Sequence, residues 1–344
     1  MKRSIKSSIK NSMKSSMKNN LNTRTNKLFR IVLKIILGIL GALALVLIIM
    51  ASYHHISLSV EKRKIELPGT LVEVDGYRMN VYTEGKKKTP DEAALVLLSG
   101  SGVSSPVYDY KGLYSKLSGD YRVAVLEKFG YGYSDISGIS RDVATLVEEN
   151  REALVKAGET APYILMPHSM SALEAIYWAH IYPEEIKAII GLDMAVPQSY
   201  DKNNIAGITL MKAGVFFGFH RSEFFNPISS LGLTDKEYEQ NKILNYRNAL
   251  NRDVYNECKV VLENADKVRN MSVADVPMLM FTTNLGNNEG SEIGSLNWVK
   301  AQRDFAESIN NCIQIEYDCG HNLHYYKSDE MAVAIREFLN SLRR

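Results

Sequence analysis

Short apolar runs alternate with longer amphipathic stretches from about residue 69 to the end of the chain, and no other feature restricts the fold so strongly. The runs at 93–98, 121–126, 163–166, 186–192, 276–281 and 312–317 are rich in Val, Ile, Leu and Tyr, and most read as strands buried on both faces. Between them, 140–157, 172–181, 298–309 and 328–342 have helical periodicity. Strands alternating with helices predict an α/β fold whose sheet is mostly parallel and covered on both sides. Ahead of these, 71–74 and 77–83 flank Asp75-Gly76, the pair that two-residue hairpin turns prefer, so the sheet should begin with an antiparallel hairpin.

The alternation breaks once. From 197 to 272 no strand is legible, while 208–217, 235–250 and 255–270 keep helical periodicity. The expectation is a helical cap (197–272) inserted into a core made of 69–196 and 273–344. Its run Val215-Phe216-Phe217-Gly218-Phe219 reads first as packing within the cap and second as the lining of an acyl or aromatic pocket.

Ahead of the core, residues 35–53 form a stretch of 19 without a charge, extended by the apolar 31–33 before Lys34. Crossing a bilayer takes about 20 such residues, whereas the apolar part of a cleaved signal is usually about 7 to 15. The reading is an uncleaved transmembrane helix at 31–53, with 1–30 as a basic tail and 54–68 as a linker. Residues 1–60 hold ten Lys or Arg and no Asp or Glu, leaving 31 basic against 39 acidic residues in the remainder. That asymmetry predicts a cytoplasmic N-terminus and a body outside the cell membrane. A four-residue repeat, Arg3-Ser4-Ile5-Lys6 through Ser15-Ser16-Met17-Lys18, suits an amphipathic helix on anionic lipid and equally a solvated tail. A net charge of +2 gives no ground for a nucleic-acid partner. The three cysteines, Cys258, Cys312 and Cys319, lack C-x-x-C spacing and suggest neither a disulfide framework nor a metal site.

The chemistry concentrates at two turns. Strand 163–166 runs into Pro167-His168-Ser169-Met170-Ser171 and then directly into a helix, which would expose Ser169 at the top of the sheet before a helix N-terminus. A serine there is either a nucleophile or an N-cap, and a nucleophile needs a base. Of seven histidines, His54 and His55 sit at the apolar segment, His168 on the turn, His180 mid-helix and His220 in the cap, leaving His321 and His324 after the last strand. His321 is taken as the base and His324 as structural. Strand 93–98 ends in Ser99-Gly100-Ser101-Gly102, so the N–H groups of Ser101 and Met170 would form an oxyanion hole.

These blocks resemble the α/β-hydrolase family across 71–342. Leu97-Leu98-Ser99-Gly100-Ser101-Gly102 is similar to its His-Gly-x-Gly oxyanion loop, with Ser99 for the histidine. Lys128-Phe129-Gly130-Tyr131-Gly132-Tyr133-Ser134-Asp135 is similar to its Gly-x-Gly-x-Ser-Asp stretch, and Gly320-His321 followed by Leu323-His324 to its catalytic histidine loop. Two departures stand out. Pro167 and Ser171 replace both glycines of the G-x-S-x-G elbow, and no carboxylate follows strand 276–281 before Glu289. The run Gly191-Leu192-Asp193 closes the preceding strand with an acid, similar to the placement in pancreatic-type lipases, so the resemblance implies Asp193 as the partner of His321, with Glu289 and then Glu292 as alternatives.

The resemblance further implies acyl transfer through Ser169 without cofactor or metal. Serine at the nucleophilic position argues against the dehalogenase and epoxide hydrolase members. Carboxylic esters are the first expectation for substrate, with membrane lipids and peptides bearing an N-terminal proline as alternatives. A catalytically silent binding protein on the same scaffold is the reading of a different class, supported by the altered elbow.

Overall fold

The computed structural model describes the backbone of residues 2–201, 205–272, 274–284 and 296–342. It divides into two compact units, Met1–Ile56 and Ser57–Arg344. The first unit consists of helix α1 (Lys2–Glu61), whose last residues belong to the second. Only Gly38 and Gly41 interrupt its helix-forming residues, at about 1 kcal/mol each, and the first proline is Pro68. Residues 54–61, expected as the start of a linker, therefore remain helical and end at the tight turn Lys62–Lys64. The stretch Thr25–Lys64 is long and apolar enough to cross a membrane, with a mean hydropathy of 2.9 in its most apolar window. Large apolar side chains along it, Ile36, Leu40 and Ile48 among them, are exposed. In water such surface costs about 25 cal/mol per Å², a cost that hydrocarbon removes.

In the second unit eight strands form one sheet in the order β1-β2-β4-β3-β5-β6-β7-β8. They are β1 (Thr70–Val74), β2 (Tyr77–Glu84), β3 (Ala94–Leu98), β4 (Val123–Glu127), β5 (Tyr163–Pro167), β6 (Ile186–Leu192), β7 (Met278–Thr283) and β8 (Cys312–Tyr317). β1 and β2 form the expected hairpin, β2 runs antiparallel to β4, and the remaining pairs are parallel. Asp75 and Gly76 both take positive φ, 49° and 77°, as a type I′ turn requires. The remaining helices are α2 (Pro106–Asp109), α3 (Lys111–Leu117), α4 (Val143–Lys156), α5 (Ala172–Ile181), α6 (Ile205–Phe216), α7 (Asp235–Asn248), α8 (Arg252–Arg269), α9 (Leu296–Glu307), α10 (Leu323–Tyr326) and α11 (Ser328–Ser341).

Successive strand residues point to opposite faces, and here both faces are covered. In β3, Val96 and Leu98 join the apolar cluster that includes α4, α5 and α9, while Leu95 and Leu97 join the cluster that includes α3 and α11. Continuous apolar runs in β3, β4 and β5 follow from this. The segment read as a cap does not stand wholly apart. Val261, Ala265 and Val268 of α8 are buried in the first cluster beside α5, so the last of its helices completes a core layer.

Three charges lock this layer to the strand ends. The buried Lys128 ammonium, just past β4, meets Glu174 of α5 at 2.6 Å and also Glu257 of α8. Tyr131 donates to Glu257 at 2.9 Å and Asn150 of α4 to Glu174 at 2.9 Å. Burial alone would push the Lys128 pKa down, but the two carboxylates outweigh it and hold it above the ordinary lysine value. Lys128→Met would strand two buried carboxylates. It is expected to lower unfolding free energy by about 3 to 5 kcal/mol in chemical denaturation, and the triple change Lys128→Met, Glu174→Gln, Glu257→Gln should recover most of that loss.

Candidate active site

β5 ends at the centre of the sheet in Pro167, and the chain turns into α5 through the tight turn Ser169–Ser171. Ser169 takes φ of 53°, the left-handed region that costs a residue with a side chain about 1 to 3 kcal/mol. Neighbouring bonds hold it there. The Ser171 hydroxyl accepts the His168 N–H at 3.0 Å and donates to the Leu98 carbonyl at 2.8 Å, while the Ala195 N–H donates to the Ser169 carbonyl at 2.9 Å. Serine in place of the second elbow glycine thus fastens the turn to β3. Pro167 falls where the β5–β6 ladder lapses, after Leu165↔Ile189 and before the bridge His168↔Leu192, so its missing N–H leaves no gap in the pairing.

The loop after β3 lies against this turn. A Cβ on Gly100 would stand 2.7 Å from Ser169 Cβ and 2.8 Å from the His168 carbonyl, so only glycine permits the approach. Ser101 follows, its hydroxyl 3.3 Å from Cys258 Sγ of α8. Among the described residues the Ser101 N–H has no acceptor. Met170 is buried at the start of the turn leading to α5.

Asp193 follows β6 and is fully buried. Its Oδ1 accepts the Thr283 N–H at 3.0 Å, Trp298 Nε1 at 3.0 Å and Gln302 Nε2 at 2.9 Å. Its Oδ2 lies 2.5 Å from His321 Nδ1. Three neutral donors and one imidazole satisfy a carboxylate that would otherwise be prohibitive to bury. Trp298 and Gln302 are one turn apart on α9, which places both on the face toward Asp193. The alternatives Glu289 and Glu292 lie outside the described residues, and the end of β7 supplies the Thr283 amide in place of an acid.

Three imidazoles gather at the mouth of the sheet. The His168 ring centroid is 4.7 Å from that of His321 and 5.2 Å from that of His324, and Tyr110 packs on His324 at 4.9 Å. Burial and the two neighbouring imidazoles push the His168 pKa well below the ordinary histidine value. Burial, with His321 second, lowers that of His324 to about 3. Both therefore stay neutral, and His324 takes the structural position expected of it. With Nδ1 committed to Asp193, His321 Nε2 is left without a hydrogen-bond partner among the described residues. Ser169 Oγ and His321 make no direct hydrogen bond; contact between the elbow and the His321 loop runs through His168, whose Nε2 is 3.4 Å from the His321 carbonyl.

A cavity of about 510 Å³ opens on this cluster. Ser101, Asp109, His168 and His321 contribute to its wall, with Ile228 and Leu231 from the inserted segment, whereas Ser169 lies outside the wall. Asp109 accepts the Tyr325 hydroxyl, and burial pushes its pKa up to about 6 against that bond. Neither Asp109 nor Tyr325 was marked by any motif in the sequence.

No family model matches the chain. The uncharacterized protein YbdG of Bacillus subtilis (strain 168) is 38% identical over 314 residues, covering 87% of this chain and 95% of YbdG. Among solved structures, a membrane phospholipase A described as a bacterial virulence factor superposes with a TM-score of 0.58 at 17% identity, covering 92% of this chain and 99% of that one. A serine hydrolase involved in carbazole degradation superposes with a TM-score of 0.54 at 14% identity, covering 79% of this chain and 98% of that one. The superpositions extend over most of each neighbour and show a shared fold, and the chain belongs to the family of YbdG within the α/β-hydrolase fold, with an N-terminal apolar helix that fits membrane anchoring.

Proposed function

We propose that this chain is a membrane-anchored serine hydrolase that transfers the acyl group of a carboxylic ester to Ser169 and then to water. The contact between Asp193 and His321 carries the reading, because an imidazole tied through Nδ1 to a buried carboxylate has Nε2 left to take a proton. Ser169 supplies the hydroxyl. No hydrogen bond joins it to His321 here, and catalytic hydrogen bonds commonly close only around substrate. As Oγ attacks the ester carbonyl, its proton passes to His321 Nε2 and the carbonyl oxygen becomes an anion facing the Ser101 and Met170 N–H groups. The proton then leaves with the alcohol. Water repeats the sequence on the acyl-serine, releasing the acid and restoring the Ser169 hydroxyl.

A cavity of about 510 Å³ is of a size for a small ester or one arm of a lipid. Among the structural neighbours, one described as a serine hydrolase and one described as a membrane phospholipase A support a hydrolase on this fold. With the full chain in detergent, Ser169→Ala is expected to lower p-nitrophenyl ester hydrolysis about 10⁴-fold or more, and Asp193→Asn about 10⁴-fold. If Ser169→Ala keeps the parent rate, Ser169 is not the nucleophile, and a parent chain that hydrolyses no ester is a binding scaffold.

Asp109 makes the cavity pH-sensitive. Its carboxyl is neutral below about 6 and charged above, so an ester carrying its own carboxylate meets repulsion only at the higher pH. The ratio of kcat/KM for such an ester to that for a neutral one should fall about tenfold as pH rises past that point, about 1.4 kcal/mol across the cavity. Asp109→Asn should abolish the fall. By linkage, a carboxyl with a raised folded-state pKa also removes stability as pH climbs from the ordinary carboxylate range toward 6, and the same substitution should flatten that slope in thermal melts.

A further inference from the structure

Helix α6 has the sequence IAGITLMKAGVF, in which Lys212 is the only charge, and none of its twelve residues is buried. A helix apolar on every face is ordinarily enclosed by protein or by lipid. Its neighbours continue the apolar surface. Phe219 packs toward Gly214 of α6, coming within 3.7 Å of where a Cβ would stand. Phe225 meets Phe219 at a ring distance of 6.0 Å, and Phe224 meets Phe225 at 5.1 Å. Phe224 is 87% exposed and Leu210 75%, with Met211, Phe216, Phe225 and Leu231 also exposed. Leu231, with Pro227 and Ile228 just after Phe225, also lines the catalytic cavity. The exposed aromatic surface is thus continuous along the chain with one wall of that cavity.

A second observation identifies what covers this surface. Arg221, between Phe219 and Phe224, makes two 2.8 Å bonds to the Glu61 carboxylate at the end of α1, within the same compact unit. Glu61 is eight residues past Tyr53, the last residue of the segment read as a span. Chain length alone keeps the two within about 28 Å. We propose that α6 and the 219–225 turn dock on the surface of a lipid bilayer, setting the 227–231 wall of the cavity against the lipid. Exposed aromatics lose their contact with water when they enter the interfacial region of a bilayer, where aromatic side chains are favoured. The inference concerns binding, rests on the reading of 31–53 as a membrane anchor, and does not depend on the chemistry assigned to Ser169.

The test uses the full chain in phosphatidylcholine vesicles containing brominated lipid, with single substitutions Phe224→Trp, Leu43→Trp in the span and Val155→Trp on exposed α4, each read against the fluorescence of the unsubstituted chain. Docking predicts that the Phe224→Trp signal is blue-shifted and quenched at least twofold by brominated lipid, with Val155→Trp unquenched and the result unchanged on dilution into more lipid. Phe224→Trp quenched no more than Val155→Trp overturns the inference, and a quenched Leu43→Trp in the same series then shows that the anchor still stands. A blue shift without quenching that fades as protein is diluted in lipid also overturns it, since a second copy of the chain would then be the cover. Quenching of Phe224→Trp with Leu43→Trp unquenched supports the docking face and removes the anchor.

Discussion

A carboxylate with no exposure to water organises the candidate active site of this molecule. Asp193 requires compensation on both oxygens, and the donors come from separate parts of the chain: the β7 backbone, two side chains of α9 and the imidazole after β8. Removing any one leaves a buried charge short of a partner, which makes the constellation cooperative. The order of β6, β7 and β8 in the sheet follows from the same need, because only adjacent parallel strands bring their C-terminal ends to one point.

The turn that carries Ser169 depends on that centre through short bonds. Asp193 itself has φ of 46°, and two residues later the Ala195 N–H holds the Ser169 carbonyl. Acid turn and elbow therefore brace each other in a conformation that neither side chain prefers. His168 closes the arrangement from the other side, edge-on to Tyr110 and His324 and tilted against His321, and burial keeps it uncharged.

The strands, the hairpin turn and the elbow were legible because local chemistry determines them: apolar runs covered on both faces, Asp75-Gly76 at positive φ, and a strand leading straight into a helix. Asp193 was legible by its place at the end of a strand. The position of α8 was not, since its amphipathic pattern is the same whether it packs on α5 or within a separate cap. The helical continuation of α1 to Glu61 was hidden by polar residues that neither favour nor stop a helix. Trp298, Gln302, His168 and the Lys128 cluster were unreadable for a common reason. Each makes its contacts with residues remote in sequence, and spacing along the chain carries no record of them.

Ester chemistry at Ser169 is the claim on which the functional account stands, and a covalent mark tests it without knowledge of the substrate. Treating the full chain with a fluorophosphonate and mapping the adduct by peptide mass spectrometry should place one modification on Ser169, lost in His321→Ala. An unmodified chain, or an adduct on a different serine with Ser169 free, would contradict the assignment.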